Sequence, residues 1–525
     1  MKRMRLLHYT LPAMLLLACV MPAKSQPRIP KNAKEDTQGV MSEGYWKLWN
    51  DAEQARIDAD IEAYRKADAV LKLDLKSGTT VKVEQLTHDF IFGANIFNFN
   101  QLGTHERNER YKALFGNLFN SATIAFYWKT FETEPGRLRF NTEYWDTEEY
   151  WNNCPNPKEQ PHWRRPSTDQ SVEFCEQKGI RAHGHTIIWG NRNGQHPSWI
   201  IQKKLTPEER QAISKYVTIG FDKTVLQTNE VFSEAYKQAT AADIERDLPV
   251  YCTQIDTLFA ERIKGLALRY GGRLQSWDVV NESSFDHERR HQGSHLIKGV
   301  NGIMPADYTS KAFHTAQSVF PADVKLNIND FNLEQSYLNQ VNDLRAEGCK
   351  IDVIGSQMHL FNPQQCVDIA EGKPIQTPEY VRSWIDRLGQ AGLPIHLSEI
   401  TITSPGSDER GQMIQAIITR NLYRLWFSAK PMMGITWWNV VEECGALNET
   451  SISGLFTSDM EPKTSFYALD ELINHEWKTN LTLKADRKGE VRFRGFKGKY
   501  KVTWQDEDGR TISRTFDLSS DGDGI

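Results

Sequence analysis

Two glutamates each close a short apolar run, Trp277-Asp278-Val279-Val280-Asn281-Glu282 and Pro394-Ile395-His396-Leu397-Ser398-Glu399. Cleaving a glycosidic bond takes a proton donor for the departing oxygen and a second carboxylate at the anomeric carbon, and Glu282 and Glu399 can fill those two roles. In a retaining pair the carboxyls stand about 5 Å apart, and ionisation of one raises the pKa of the other, which keeps the donor protonated near neutral pH. A covalent intermediate then forms on Glu399, and Glu282 returns as the base that activates water.

Such a pair works only if the fold brings both strand ends to one place. Eight apolar runs are spaced as strands: Phe90 to Phe97, Ala122 to Lys129, Arg181 to Trp189, Leu274 to Glu282, Lys325 to Asn332, Val353 to Phe361, Pro394 to Thr403 and Gly434 to Glu442. Helical stretches such as Ile255 to Tyr270, Ser310 to Val319, Leu338 to Glu347, Tyr380 to Ala391 and Glu409 to Trp426 lie between them, which predicts parallel βα units. The expected fold is α/β, a (β/α)8 TIM barrel over residues 89–476, whose strand ends converge at one rim. Thr206-Pro207-Glu208-Glu209 starts a helix, so residues 200–250 read as a helical excursion after strand three.

Before the barrel, residues 26–88 read as a helix from Glu43 to Ala67 and a hairpin of Val70 to Leu75 with Thr80 to Leu86 about the turn Lys76-Ser77-Gly78. After it, residues 477–525 read as a small β-domain: Leu481 to Leu483, Val491 to Phe496, Tyr500 to Trp504 and Ile512 to Phe516. A lone hairpin is marginal in water, so the two terminal β segments are expected to pack together as an accessory unit. The tail Ser519 to Ile525 is expected to be disordered.

Residues 1–25 have the pattern of an export signal. Lys2, Arg3 and Arg5 precede an apolar stretch from Leu11 to Val20, with Ala23-Lys24-Ser25 at the cleavage point. The expected destination is outside the cytoplasm, secreted or periplasmic, with a lipid anchor at Cys19 in Leu16-Leu17-Ala18-Cys19 as the alternative. No later segment approaches the roughly 20 apolar residues of a membrane span. A net charge of −5, from 63 basic and 68 acidic residues among 525, gives no field suited to nucleic acid, and a neutral polysaccharide is the expected partner of a monomer. The 15 Trp and 17 Tyr supply flat faces for sugar rings or for the core. Cys154, Cys175, Cys252, Cys349, Cys366 and Cys444 contain no C-x-x-C pair, which leaves disulfides and buried thiols equally open.

Over roughly residues 115 to 470 the chain resembles glycoside hydrolase family 10, whose best-known members are endo-β-1,4-xylanases. The motifs that carry the likeness are Trp277 to Glu282, Gly184-His185-Thr186-Ile187-Ile188-Trp189, Asn327-Ile328-Asn329-Asp330-Phe331-Asn332, Gln357-Met358-His359-Leu360 and Gly434-Ile435-Thr436-Trp437-Trp438. The resemblance implies an enzyme that needs no cofactor. It makes Glu282 the acid/base, Glu399 the nucleophile, Asn281 a donor to the sugar 2-hydroxyl and His359 a partner of the nucleophile. It also implies that Lys129, His185 and Gln357 contact substrate and that Trp189 and Trp438 wall the scissile sugar.

Three departures stand out. Ala125-Phe126-Tyr127-Trp128 replaces the family's Glu-Asn and Met before Lys129, which removes two hydrogen-bonding groups and implies weaker recognition of a standard xylose chain. Gly190-Asn191-Arg192-Asn193-Gly194-Gln195 replaces His-Ser-Gln and lengthens a loop. Thr401 stands where aspartate is usual, which implies an altered pH optimum. Three rival readings stand beside this one: an endo-hydrolase of another or decorated β-glycan, a non-catalytic glycan-binding barrel, and a metal-dependent amidohydrolase-like site built on His183-Gly184-His185 with His359 and His396.

Overall fold

The computed structural model describes residues 26–141, 146–190, 195–222, 227–290, 293–299, 302–450 and 452–525. The reading of residues 1–25 as an export signal, Cys19 as an anchor and Arg192 as part of a changed loop falls outside them. Eight parallel strands close into a barrel: β1 (Ile91–Asn95), β2 (Ser121–Ala125), β3 (Arg181–His185), β4 (Ser276–Asn281), β5 (Lys325–Asp330), β6 (Val353–Leu360), β7 (Ile395–Ile402) and β8 (Met432–Trp437). Each pairs with the next, and Gly434 of β8 opposite Ile91 of β1 completes the ring. Nearly every residue of these strands is buried, because one face fills the barrel and the other packs under helices. Gly184 on β3 shows how tight the fill is: a Cβ there would lie 2.2 Å from the Trp277 ring.

Several strands stop earlier than expected, β8 among them, which ends at Trp437 and not at Glu442. β2 ends at Ala125, where Phe126 turns out to pack against Trp277 (4.6 Å between ring centroids) and Tyr270 (5.2 Å). The chain then forms a short helix, Trp128–Phe131, so Lys129 lies on a helix and not at a strand end. β3 breaks after His185 and resumes as Ile188–Trp189 beside β4.

The excursion after strand three contains helices, such as Pro207–Ser214 and Ala241–Asp247, and also a β-hairpin of Val217–Asp222 with Gln227–Phe232, which corrects the all-helical expectation. Val217-Thr218-Ile219 and Glu230-Val231-Phe232 are rich in residues that favour a pleated surface.

The expected hairpin of the N-terminal segment does not form. Lys66–Lys72 pairs with Glu490–Phe496, while Thr80–His88 pairs with Asn480–Lys484 and Gly498–Gln505 in a separate sheet. The residues between them cross from one sheet to the other. Leu71, Val83, Val491, Tyr500, Val502 and Leu518 meet in one core, so the apolar faces of both N-terminal strands are buried only with C-terminal partners. The tail is ordered too: Asp523 and Gly524 add a parallel strand beside Ala69 and Val70, and Ser519 and Ser520 donate to Asp523 Oδ2 at 2.8 Å.

The N-terminal helical segment is two helices, Glu43–Leu48 and Asp51–Arg65, with Asn50 capping the second. The second packs on the barrel helix Glu409–Ser428, where Arg424 Nε donates to Gln54 at 3.2 Å and also pairs with Asp58. This leaves Glu409–Ser428 covered on both sides, which explains why it is buried almost all round. All six described cysteines are free thiols. Among the described residues no helix is long and apolar enough to cross a membrane.

Candidate active site

The C-terminal ends of the barrel strands open into a cleft of about 800 Å³ lined by Glu282 and Glu399 together with Asn281, His185, Trp189, Gln357, His359 and Trp438. The two glutamates are joined through one amide. Gln357 Nε2 donates to Glu282 Oε1 at 3.2 Å and to Glu399 Oε1 at 3.1 Å, so those oxygens are separated by no more than the sum of the two lengths.

Glu282 follows β4 by one residue, with φ at +52°, a region that non-glycine residues seldom occupy. Its N–H donates to the Asn329 carbonyl at 2.7 Å, which ties the turn to β5. Burial first, and then the negative charges of Glu399 and Asp330, push its carboxyl up to about 8.

Glu399, on β7 and 5% exposed, is ringed by donors. Asn329 Nδ2 lies 2.9 Å and Gln357 Nε2 3.1 Å from Oε1, with His185 Nε2 at 3.7 Å; His359 Nε2 is 3.4 Å from Oε2. These groups come from β3, β5 and β6, and they converge on β7 at the barrel mouth. The other ring nitrogen of His359 sits 2.9 Å from Thr401 Oγ1.

His183 and His185 share one acceptor. His183 Nε2 lies 2.9 Å and His185 Nδ1 2.8 Å from Asp278 Oδ2, and burial of Asp278 is outweighed by the two imidazoles, which hold its carboxyl well below the usual range. His183 spends its other nitrogen on Ser276 at 2.8 Å, and His396 bonds Thr436 at 2.8 Å. The H-x-H pair is therefore directed at a carboxylate within the barrel. Among the described residues no group of three His, Cys, Asp or Glu is placed to hold a metal ion.

Asn281 Oδ1 accepts from Asn329 at 2.9 Å, while its Nδ2 is buried with no protein partner. Trp438 packs edge-on to His185 (5.6 Å) and Phe97 (5.2 Å), and Trp189 lies 6.0 Å from Tyr127. Lys129 does not line the cleft; its Nζ is 3.4 Å from Oδ1 of Asn229, which does.

Several residues of the site carry no mark in the sequence that would single them out. Asn329 does not line the cleft but holds Glu399 and Asn281 from below it, and nothing in its motif assigns it that role. Asn229 sits on the unexpected hairpin, and Arg164, Arg165 and Glu449 sit on connections where no periodicity marks them.

A closed (β/α)8 barrel with two bridged carboxylates at the C-terminal mouth has the make-up of a glycoside hydrolase. The glycosyl hydrolase family 10 model matches residues 86–242 and 227–472, and the chain belongs to that family. It is similar to endo-1,4-beta-xylanase 2 of Arabidopsis thaliana, 24% identical over 440 residues that cover 81% of this chain and 31% of that protein. It is also similar to endo-1,4-beta-xylanase A of Thermoanaerobacterium saccharolyticum, 24% identical over 313 residues that cover 58% of this chain and 22% of that one. The chain thus spans less than a third of the length of those two relatives. Among solved structures, native xylanase 10B from Thermotoga maritima aligns with a TM-score of 0.46 and 19% identity, covering 74% of this chain and 96% of that one.

Proposed function

We propose that the protein is a retaining glycoside hydrolase that cleaves internal β-1,4 linkages of xylan by double displacement, with Glu282 as acid/base and Glu399 as nucleophile. The observation that carries this reading is the single Gln357 amide shared by both carboxylates. Two carboxylate oxygens bonded to one amide leave little room for the water that an inverting enzyme must fit between sugar and base, which favours the retaining arrangement. The raised Glu282 carboxyl fits a proton donor at neutral pH. The donors around Glu399 Oε1 and Oε2 fix the orientation of that carboxylate for attack.

In the first step Glu399 attacks the anomeric carbon from one face while Glu282 protonates the leaving oxygen. In the second, Glu282 takes a proton from water, which displaces Glu399. Asn281 Nδ2, buried and unpartnered, is the donor assigned to the sugar 2-hydroxyl. Trp189 and Trp438 wall the reacting sugar, Gln357 and His185 hold its surroundings, His359 steadies Glu399, and Lys129 acts on the cleft through Asn229. Xylan is proposed as substrate because the family's xylanases are the relatives found at this level of similarity. We assign the terminal sheets to an accessory unit and the first 25 residues to export.

Proton NMR of the anomers released from xylo-oligosaccharides, together with product profiling on plain xylan, decorated xylans and mixed β-glucans, tests this. First appearance of the β-anomer supports retention, and first appearance of the α-anomer overturns it.

A further inference from the structure

Two arginines line the cleft beside β1, β2 and β8 and take no part in the proposed reaction. Arg164 and Arg165 end the long connection between the helices Trp128–Phe131 and Thr168–Lys178. Their backbone is held from both sides. Gln101 Oε1 accepts from Arg164 N–H at 2.8 Å, and Arg139, paired in the interior with Asp146 at 2.6 Å, donates to the Arg165 carbonyl at 2.7 Å.

The two side chains are used differently. Arg164 is only 3% exposed; it donates to Asn439 Oδ1 at 2.9 Å and faces Glu449 Oε2 at 3.5 Å. Arg165 lies over the Tyr127 ring, 3.8 Å from its centroid, and its guanidinium donates to the Arg164 carbonyl at 2.8 Å. No carboxylate of the described residues stands at ion-pairing distance from Arg165. Stacking fixes a guanidinium by its face and leaves the N–H groups at its edge pointing in the plane, the geometry that grips a flat or tetrahedral anion. Glu449 is engaged by Arg164, so Arg165 lines a cleft for a neutral glycan backbone without an ion-pair partner of its own among the described residues. Tyr127 in turn lies 5.3 Å from His185, so the Arg165 charge stands close to the reacting bond.

We propose that Arg165, backed by Arg164, forms a subsite for an anionic substituent on the glycan, a uronic acid carboxylate or a sulfate ester. The proposal rests on the reading of the cleft as a β-glycan site. Binding can be measured by calorimetry on Glu399→Ala, which needs no turnover, with xylo-oligosaccharides bearing a glucuronic acid side group, the same compounds with the carboxyl reduced to an alcohol, and sulfated xylo-oligosaccharides. At least one anionic probe is expected to bind about tenfold or more tighter than the reduced one, the preference fading as salt rises and lost in Arg165→Met/Glu399→Ala. Which anion is preferred identifies the substituent. Anionic probes that bind no tighter than the reduced one, including not at all, overturn the subsite even if the double variant fails to fold, as does a preference that survives Arg165→Met. Failure of the β-glycan reading shows separately, as absence of wild-type turnover on the reduced probe and on plain xylan.

Discussion

His359 Nδ1 lies 2.9 Å from the Thr401 hydroxyl while its Nε2 faces Glu399 at 3.4 Å. A neutral hydroxyl thus orients the imidazole that steadies the proposed nucleophile. Thr401→Val keeps the shape and removes the partner, leaving a half-buried ring nitrogen unpaired. Loss of one such hydrogen bond is worth about 1 kcal/mol, so kcat is expected to fall by several-fold to about tenfold with little change in KM. Steady-state kinetics on a xylo-oligosaccharide checks it; an unchanged kcat removes His359 from the mechanism.

Glu399→Ala is expected to lower turnover by at least about 10³-fold while the fold is retained, and wild-type-like rates would refute its role. Glu282→Ala should cripple substrates with poor leaving groups far more than activated aryl glycosides, whose leaving group needs no proton. Equal losses on both would count against a proton donor at that position.

The raised Glu282 carboxyl predicts how kcat/KM and stability move with pH. The donor is protonated below about 8, so kcat/KM should fall as pH rises through that value. The Gln357 hydrogen bond lowers the Glu282 pKa, so Gln357→Leu should move the alkaline limb further up as well as slow the reaction. For stability, the folded state holds a proton that the unfolded chain releases near its ordinary value of 4.5. The contribution of this group is full below that value and is lost as pH climbs through about 8, so Glu282→Gln should raise Tm by several degrees at pH 8 to 9 and by little at pH 5. Melting curves at the two pH values decide it.

Removing residues 477–525 should leave Lys66–Lys72 and Thr80–His88 with apolar faces exposed and edges unpaired. The truncated chain is expected to aggregate or to melt far below the full one. A soluble product with an unchanged Tm would show that the terminal sheets are dispensable to the barrel.

The barrel was legible because eight apolar runs recur with helices between them, and Glu282 and Glu399 because each closes such a run. What sequence could not resolve was where uninterrupted apolar runs stop. Ala122 to Lys129 has no alternation, so nothing in it marks Phe126 as the residue that turns outward. The alternating stretch from Val217 was masked by the strong helix start just before it. Pairing partners were hidden for another reason: Lys66–Lys72 and Thr80–His88 alternate as a hairpin would, and only the position of the distant strands decides that they belong to different layers. Arg165 gave no sign, because its meaning comes from the ring beneath it.

The register that sets Lys72 opposite Glu490 joins one segment made before the barrel to one made after it. On the ribosome the opening strands must wait, unpaired, while the whole barrel emerges, and contacts between such distant segments are slow to form. The barrel is consequently latched by the segments on either side of it. A protease nick between Asn480 and Leu518 would release both flanking layers at once, and the lifetime of the protein under proteolysis would be set at that latch and not at the cleft.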